Sequence, residues 1–339
     1  MKIVVAPDSF KECLPASRVA AVMAAAVREA CPGAQVLALP LADGGEGTLD
    51  VLAAALGAQV HAVTVKGPLG RPVEARLGVR GETAIIEVAQ ACGLSLLKPA
   101  ERNPLRAGSQ GVGELLLAAH RLGCRHFLVG LGGSATCDGG AGLLSVPGIN
   151  SLKDSSFELL CDVDAPFVGL QGAARVFAPQ KGASPADVEV LEARMLALAA
   201  QWFRETGVQV ADLPGAGAAG GLGGALMAHF GATRVSGIQK VLDLVRFREV
   251  AADAKLIITG EGRSDAQTLQ GKVPYGVLQN AGGVPVALVS GRIEDREDLL
   301  QAGFDQLLEV TPRDLPLAQA LEPQKAETFL FQAVQGITQ

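Results

Sequence analysis

Aromatic residues are scarce in this chain of 339 residues: Phe, Trp and Tyr make up 4%, with one Trp and one Tyr. This composition does not favour an aromatic β core, whereas the 42 glycines favour tight turns and closely packed helices. No apolar run has the length of a membrane span, and no signal peptide precedes the first apolar segment. We therefore expect a cytoplasmic protein without a membrane partner. The net charge of -6 argues against nucleic acid as the main partner.

The usual signatures of metal and thiol chemistry are also missing. The six cysteines form no CxxC pair, and none lies near a histidine at zinc spacing. In a cytosolic chain of this size they are expected to be reduced and packed. The four histidines lie outside the Gly- and Asp-rich loops, so any proton transfer is expected to use carboxylates. The absence of GxxxxGK[ST], GxSxG and HExxH excludes a P-loop enzyme, a serine hydrolase elbow and a zinc protease helix.

Strand and helix patterns alternate at both ends of the chain, and residues 58–90 between them alternate apolar and polar residues. The ends predict one doubly wound sheet built from both termini, and the middle predicts antiparallel hairpins. We therefore predict an α/β protein of two domains: residues 1–60 with 252–339, and an inserted mixed α/β domain at 61–251. The active site is expected in the cleft between the domains. A plain tandem of two domains is the alternative.

A carboxylate, a hydroxyl and an ammonium follow the first strand. Residues 2–6 are short, apolar and rich in β-branched side chains, and the following proline ends strand pairing. Asp8, Ser9 and Lys11 therefore emerge at the carboxyl edge of the sheet, where open α/β sheets bind ligands. The alternative is that Asp8 or Ser9 only caps the next helix.

A second charged segment follows the buried strand predicted at 256–259. It carries Glu261, Arg263, Asp265 and Lys272, two acids and two bases, at another carboxyl edge. Charged side chains in such a place are candidates for substrate and phosphate binding. A solvated loop would explain one or two of them.

Three loops are rich in glycine, and each is suited to close approach of its backbone to an anion. The first, residues 43–48, leads into a helix and carries the candidates Asp43, Gly44, Gly45 and Glu46. Instead of contributing to an anion site, Asp43 and Glu46 could bind a cation or cap the helix. The second and third loops, 130–140 and 215–224, supply the candidate phosphate-binding residues Gly132, Gly133, Ser134, Thr136, Gly215, Gly217, Gly220 and Gly221.

The loop at 215–224 begins with GxGxxG, but this motif alone is weak evidence. No second strand ending in an acid follows about 20 residues later, so a dinucleotide fold is disfavoured. Asp162 and Asp164 follow another predicted strand, two residues apart. They point to the same side if the chain stays extended, and they are the candidate magnesium ligands. The alternative is a turn beside a proline.

Taken together, seven segments resemble those of the class I glycerate kinases. They are APDSFKECL (6–14), PLADGGEGT (40–48), GLGGSATCDGGAG (130–142), CDVDAPFVG (161–169), FAPQKGAS (177–184), PGAGAAGGLGGAL (214–226) and ITGEGRSDAQTLQGKVPYGV (258–277). The resemblance implies a flavodoxin- or Rossmann-like parallel sheet built from both termini, with an inserted α/β domain. It also implies that ATP and Mg²⁺ are used to phosphorylate D-glycerate, in much of the family to 2-phosphoglycerate.

Three departures from the family pattern stand out. Cys137 stands where the family commonly has Asn, Ser264 replaces a usual Ile, and the segment 143–157 is shorter than in relatives. If the missing part is a lid or an edge hairpin, activity is expected to be lower. A catalytically impaired nucleotide- or glycerate-binding regulator is therefore one alternative. A second alternative is another small-molecule kinase, of the GHMP type, because the segment GLGGSA resembles a loop of that family.

Phosphoryl transfer needs alignment, charge neutralisation and a group that orients or deprotonates the attacking hydroxyl. We expect Asp8 or Asp265 to act on the glycerate hydroxyl, and Lys11 and Lys272 to neutralise charge. Arg263 is the candidate for the glycerate carboxylate. Ser9, Asp43, Gly44, Gly45 and Glu46 are further candidates for substrate. A homodimer is left open.

Overall fold

The structure, a computed structural model, describes residues 1–337. Its strands are β1 (Lys2–Val5), β2 (Gln35–Ala38), β3 (Gln59–Lys66), β4 (Pro72–Arg80), β5 (Thr83–Glu87), β6 (His126–Gly130), β7 (Ser156–Leu160), β8 (Thr233–Val235), β9 (Leu256–Ser264), β10 (Val286–Ile293) and β11 (Gln306–Glu309). Its α-helices are α1 (Ala16–Ala30), α2 (Thr48–Leu56), α3 (Ala89–Cys92), α4 (Gln110–Arg121), α5 (Ala141–Leu144), α6 (Ala173–Phe177), α7 (Pro185–Thr206), α8 (Leu222–Phe230), α9 (Gly237–Leu244), α10 (Phe247–Ala251), α11 (Val273–Gln279), α12 (Arg296–Ala302), α13 (Leu317–Ala320) and α14 (Pro323–Ile337).

The two ends of the chain build one parallel sheet. Its order is β11-β10-β9-β1-β2, and every neighbouring pair is parallel. Numbered within this sheet alone, the order is 2-1-3-4-5, the flavodoxin-like doubly wound order. The predicted α/β fold with a parallel sheet from both termini is confirmed. The strand order reverses between β1 and β9, so the segments after these two strands flank the topological switch point.

The middle of the chain builds a mixed sheet in the order β3-β4-β5-β6-β7-β8. The first three strands are antiparallel, as the alternating pattern of residues 58–90 predicts, and β5 to β8 are parallel. A core of fully buried side chains such as Leu77, Ile86 and Phe127 packs on this sheet. The parallel half places glycine-rich segments directly after β6 and before α8.

Contacts within the chain separate it into two compact units, residues 1–43 with 238–339, and residues 44–237. The sequence analysis places the divisions later, after residues 60 and 251. Helix α2 falls in the second unit because it packs against β4 and β5. The independent folding of two domains and a cleft between them stay predictions. Among residues 1–337, no helix is long and apolar enough to span a membrane.

Three elements differ from the predicted boundaries. Strand β9 was expected to end at residue 259 but continues to Ser264, paired with β10. Gly260 permits this close pairing, since a Cβ there would lie 2.1 Å from the Val289 carbonyl oxygen. The sequence predicts one helix at 238–250, but there are two helices, because Arg246 adopts a left-handed φ of 56° between them. The sequence also predicts one helix at 315–336, where the structure has α13 and α14, and Pro323 starts the second.

Candidate functional site

The carboxyl group of Asp8 is buried directly after β1, with the residue only 5% exposed. The backbone holds it there: the Asp8 amide donates to the Gly260 carbonyl at 2.8 Å, and the Ser9 amide donates to Asp8 Oδ1 at 2.6 Å. Burial, and next the charge of Asp43, raise the pKa of Asp8 well above its ordinary value of 3.8. Lys11 lowers this pKa and Glu261 raises it further. The charges of three further residues, Lys11, Asp43 and Glu261, therefore act on the Asp8 carboxyl.

Glu261 was noted in the sequence but not selected as a site residue, and it is the second buried carboxyl group of this unit. Its Oε1 accepts hydrogen bonds from Ser264 Oγ at 3.0 Å and Thr268 Oγ1 at 2.6 Å, and Lys272 Nζ lies 3.4 Å from its Oε2. Burial raises the pKa of Glu261, and Lys272 opposes the rise. The departure Ser264 is thereby explained as a hydrogen-bond donor to Glu261, and it also bonds Ser290 at 2.6 Å.

Asp265 and Arg263 lie at the end of β9 and are more accessible. Asp265 caps the 3-10 helix Ala266–Gln270, accepting a hydrogen bond from the Gln267 amide at 2.9 Å. The guanidinium of Arg263 lies 3.5 Å from Asp265 Oδ2 and 2.7 Å from Glu294 Oε2. Asp265 therefore already serves as a helix cap and ion-pair partner, whereas no cation within residues 1–337 forms an ion pair with the buried Asp8 carboxyl.

The remaining predicted residues of this unit lie on its accessible side. Lys11 is exposed, and Ser9 and Asp43 are half-buried. Lys272 Nζ also lies 3.9 Å from Asp265 Oδ1, so one ammonium joins two of the acids. The first unit thus presents a buried carboxyl with a raised pKa among cations at the switch point of a parallel sheet.

In the second unit, Gly44, Gly45 and Gly132 mainly allow close packing of backbones. The Gly132 amide donates to the Gly44 carbonyl at 3.1 Å. A Cβ on Gly132 would lie 2.5 Å from Gly45 Cα, and one on Gly44 would lie 2.4 Å from the Leu160 carbonyl oxygen. These glycines are required by the contact between two turns and a strand end.

The start of helix α2 was expected to suit an anion, and it binds one that the chain itself supplies. The buried Glu87 accepts hydrogen bonds at Oε2 from the Gly47 amide at 3.1 Å and the Leu49 amide at 3.2 Å. Burial raises the pKa of Glu87, and these two amides oppose the rise. Glu46 is exposed beside it. The pattern of the sequence did not indicate Glu87, which lies 40 residues further on at the end of β5.

The turn after β6 buries its polar side chains. Ser134 is 5% exposed and Thr136 is fully buried, while Gly133 is accessible and left-handed at a φ of 74°. Beneath them, Lys181 Nζ donates to Ser134 Oγ at 3.0 Å and to the Thr136 carbonyl at 2.8 Å. Lys181 belongs to the FAPQKGAS segment but was not selected as a candidate. Its distance in sequence from the turn explains the omission.

The glycines of the loop at 215–224 pack against other backbone segments. A Cβ would lie 2.2 Å from the Pro166 carbonyl at Gly217, 2.0 Å from the Thr136 carbonyl at Gly220, and 2.4 Å from Arg234 Cδ at Gly215. The amides of Gly217 and Gly221 donate within the protein, to the carbonyls of residues 165 and 217. These glycines therefore have a packing role whether or not an anion binds nearby.

Asp162 and Asp164 do not share a ligand-binding position. Asp162 Oδ1 accepts a hydrogen bond from the Gly237 amide at 3.0 Å, and Asp164 forms an ion pair with Arg234. No group of three or more His, Cys, Asp or Glu in residues 1–337 has metal-binding geometry. The bonds of these two acids would have to be exchanged for metal bonds, so they do not fit a ready magnesium site.

The first unit is a doubly wound sheet with a buried, weakly acidic carboxyl and cations at its switch point, and the second unit carries glycine-rich turns on its sheet. These features are typical of an α/β enzyme that acts on charged small molecules. Comparisons with known proteins narrow this class. A sequence profile described as "Glycerate kinase family" matches residues 3–154 and 148–339. The chain belongs to the glycerate kinase family. It is accordingly a kinase, a transferase of phosphoryl groups.

Named relatives span nearly the whole chain. A glycerate kinase of Halalkalibacterium halodurans is 39% identical, covering 99% of this chain and 97% of its own length. A glycerate 2-kinase of Escherichia coli K12 is 42% identical, covering 91% and 90%. A crystal structure described as a glycerate kinase 2 from Salmonella typhimurium LT2 superposes with a TM-score of 0.84 at 39% identity, covering 100% and 97%. The two parts of the profile match meet at residues 148–154, inside the short segment 143–157.

Proposed function

We propose that this protein phosphorylates D-glycerate with ATP, forming 2-phosphoglycerate and ADP. Family membership supports the glycerate substrate, and the Escherichia coli relative named as a glycerate 2-kinase supports the 2-hydroxyl as acceptor. The observation that carries the proposal is Asp8: a buried carboxyl with a raised pKa at the switch point of a parallel sheet. A general base reacts in its unprotonated form, and a raised pKa makes the Asp8 carboxylate a stronger acceptor for the hydroxyl proton.

Asp8 is the proposed base, in preference to Asp265. As the glycerate oxygen forms its bond to the γ-phosphorus, Asp8 accepts the hydroxyl proton, and the bond between the γ-phosphorus and the leaving ADP oxygen breaks. Asp265 is already bonded to a backbone amide and lies near two cations, Arg263 and Lys272. These contacts stabilise a carboxylate that stays ionised and positions its neighbours.

The cations of the first unit neutralise negative charge, while Asp8 accepts the proton. Lys11 and Lys272 neutralise the charge of the transferred phosphoryl group, and Glu261 holds Lys272 in place. Arg263 binds the glycerate carboxylate, with a planar guanidinium suited to two parallel hydrogen bonds. This binding replaces its contact with Glu294. Ser9 and Asp43 border the acceptor.

The nucleotide phosphates are assigned to the turn containing Gly133, Ser134 and Thr136. Its accessible left-handed glycine and buried hydroxyl groups support close approach of phosphate oxygens. Gly132 and the loop at 215–224 shape this turn by packing. Magnesium, a homodimer and a cytoplasmic location stay predictions from the sequence.

The test is a kinetic assay of the purified protein with ATP, Mg²⁺ and D-glycerate, followed by phosphorus NMR of the product. We expect ADP release that depends on D-glycerate, with 2-phosphoglycerate as the phosphorylated product. L-glycerate is the control for stereospecificity. A 3-phosphoglycerate signal would overturn the assignment of the hydroxyl. ATP binding without glycerate-dependent ADP release would instead favour a regulator.

A further inference from the structure

A buried ammonium group lies beneath the turn after β6. Lys181 is 3% exposed, and within residues 1–337 its side chain forms no ion pair with a carboxylate. Burying an unpaired charge is costly, so a lysine in such a place needs compensating contacts. Its two hydrogen bonds, to Ser134 Oγ at 3.0 Å and to the Thr136 carbonyl at 2.8 Å, both reach the same turn. Burial lowers the pKa of Lys181.

The chemistry of these bonds determines the direction of the Ser134 hydroxyl. An ammonium group has only donors, so Ser134 Oγ must be the acceptor of the bond from Lys181. The hydroxyl proton of Ser134 therefore points away from the lysine. Within the described part of the chain, this hydroxyl finds no acceptor of its own, although Ser134 is only 5% exposed. A buried donor without an acceptor is unusual in a folded protein. At Ser134 a buried ammonium also lies against the same hydroxyl, and this pairing of a donor with a positive charge points to an anionic partner outside the chain.

We infer that Lys181 is a positioning residue of the nucleotide site: it orients the Ser134 hydroxyl as a hydrogen-bond donor to a phosphate oxygen of ATP and adds positive charge below the turn. The inference deepens the proposed function and rests on the assignment of the nucleotide to this turn. A phosphate oxygen accepts from hydroxyl donors and is attracted by the ammonium. The proposed occupant thus satisfies both the unused donor and the unpaired charge.

The test compares four variants with the wild-type protein: K181M, S134A, the double variant, and S155A as a matched control. Ser155 is also a buried serine of the second unit, and its hydroxyl has no hydrogen-bond partner in the described structure. Each protein is assayed for kcat and for KM with ATP and with D-glycerate, and its unfolding temperature is measured. ATP binding is also measured by calorimetry without glycerate.

We expect K181M and S134A each to raise the KM for ATP about 10- to 100-fold, the usual cost of losing a hydrogen bond to a charged group. The KM for glycerate stays within about twofold because the acceptor is bound by other residues. If Lys181 acts through Ser134, the double variant is little worse than the poorer single variant. S155A keeps the wild-type KM values. A merely structural Lys181 would lower the unfolding temperature and leave the KM for ATP unchanged.

Three results would overturn the inference: an unchanged KM for ATP in S134A, equal increases in both KM values, or additive effects in the double variant. If K181M fails to fold, S134A decides, since it removes the oriented donor and keeps the bond from Lys181 to Thr136. Calorimetry separates this inference from the proposed function. A wild-type protein that binds ATP without turning over glycerate still tests Lys181, through the loss of ATP affinity in the variants.

Discussion

The two units use their conspicuous residues in different ways. In the first, the predicted charges influence one another: Asp43 and Lys11 shift the pKa of Asp8, and Lys272 forms an ion pair with Glu261. In the second, several predicted glycines lie against other backbone atoms of the protein, namely Gly44, Gly132, Gly217 and Gly220, and the polar contacts come from Ser134 and Lys181. Charges at the ends of parallel strands were thus the better indicator of side chains that interact with one another. Glycine density indicated close packing, because a glycine is needed wherever two backbones touch.

The largest effect on kcat is expected at Asp8, and it should exceed the effect at the neighbouring Asp265. Replacing Asp8 by Asn removes the proposed base and should lower kcat about 10²- to 10⁴-fold, the usual contribution of general base catalysis. Asp265→Asn, at a carboxylate already engaged in a cap, should reduce kcat less. Both variants are measured by glycerate-dependent ADP release, with circular dichroism to verify folding. Near-normal kcat in D8N would remove Asp8 from the mechanism.

The same substitution should change how stability depends on pH. The pKa of Asp8 is raised in the folded state above its ordinary 3.8, so the folded protein keeps a proton that the unfolded chain has lost. Stability from this group is therefore complete below 3.8 and falls as pH rises through the folded pKa. D8N should raise the unfolding temperature above this window and make little difference below it. A wild-type-minus-variant difference that is constant from about pH 4 to 8 would contradict the raised pKa.

The packing role of the second unit's glycines is tested by Gly220→Ala against Gly231→Ala. The two residues have similar φ values, 66° and 62°, but a Cβ would lie 2.0 Å from the Thr136 carbonyl at Gly220 and touch nothing within 4 Å at Gly231. G231A should cost about 1–2 kcal/mol for its left-handed conformation. G220A should cost about 1–3 kcal/mol more through overpacking. Chemical denaturation measures both, and equal losses would show that packing at Gly220 is not limiting.

A smaller effect is expected at Ser264. Ser264→Ala removes one donor from the buried Glu261 and should destabilise the protein by about 1–3 kcal/mol, the cost of an unmet buried polar group. It should also raise the pKa of Glu261 further, because Ser264 is one of the groups that lower it. Thr259→Val, which removes a bond from a buried hydroxyl to the Ala6 carbonyl, is a control in the same unit. A larger loss of kcat in S264A than in that control, at equal stability loss, would link the Glu261 network to activity.

The smallest effect concerns Asp164. Its ion pair with Arg234 is exposed, the acid side chain being 82% accessible, so Asp164→Asn should change stability by less than about 1 kcal/mol. The Mg²⁺ concentration for half-maximal activity tests the ligand prediction separately. If this Mg²⁺ concentration is unchanged in the variant, Asp164 is only an ion-pair partner of Arg234. A several-fold increase would show that the Arg234 pair is exchanged for the metal during turnover.

The regular parts of the fold were predictable because their signals are local. The apolar run before Asp8 predicted a buried strand, and the alternation in residues 58–90 predicted hairpins, as found. Strand β9 was predicted too short because Gly260 looks like a turn residue; only the facing Val289 carbonyl shows that a glycine is required inside the strand. Local patterns do not contain such cross-strand contacts.

The candidate site was predictable to the same extent. Asp8, Lys11 and Lys272 stand near strand ends in the sequence, so their charges could be connected with a ligand. Glu87 binds a turn 40 residues earlier in the sequence, and Lys181 binds a turn 45 residues earlier. No local pattern predicts such buried bonds. Residues of this kind are found only when the tertiary contacts are known.

The six cysteines offer a way to follow the two units separately in solution. Within residues 1–337 they form no disulfide; Cys13 and Cys31 in the first unit are partly accessible, and the four in the second unit are buried. Burial raises the pKa of Cys137 to about 11 and that of Cys92 to about 12, so neither forms a reactive thiolate in the folded protein. An alkylating reagent should therefore label the partly accessible thiols of the first unit faster than those of the second, which react only when that unit opens. The rate of slow labelling would report the opening equilibrium of the glycine-rich unit, including the turn that carries Cys137.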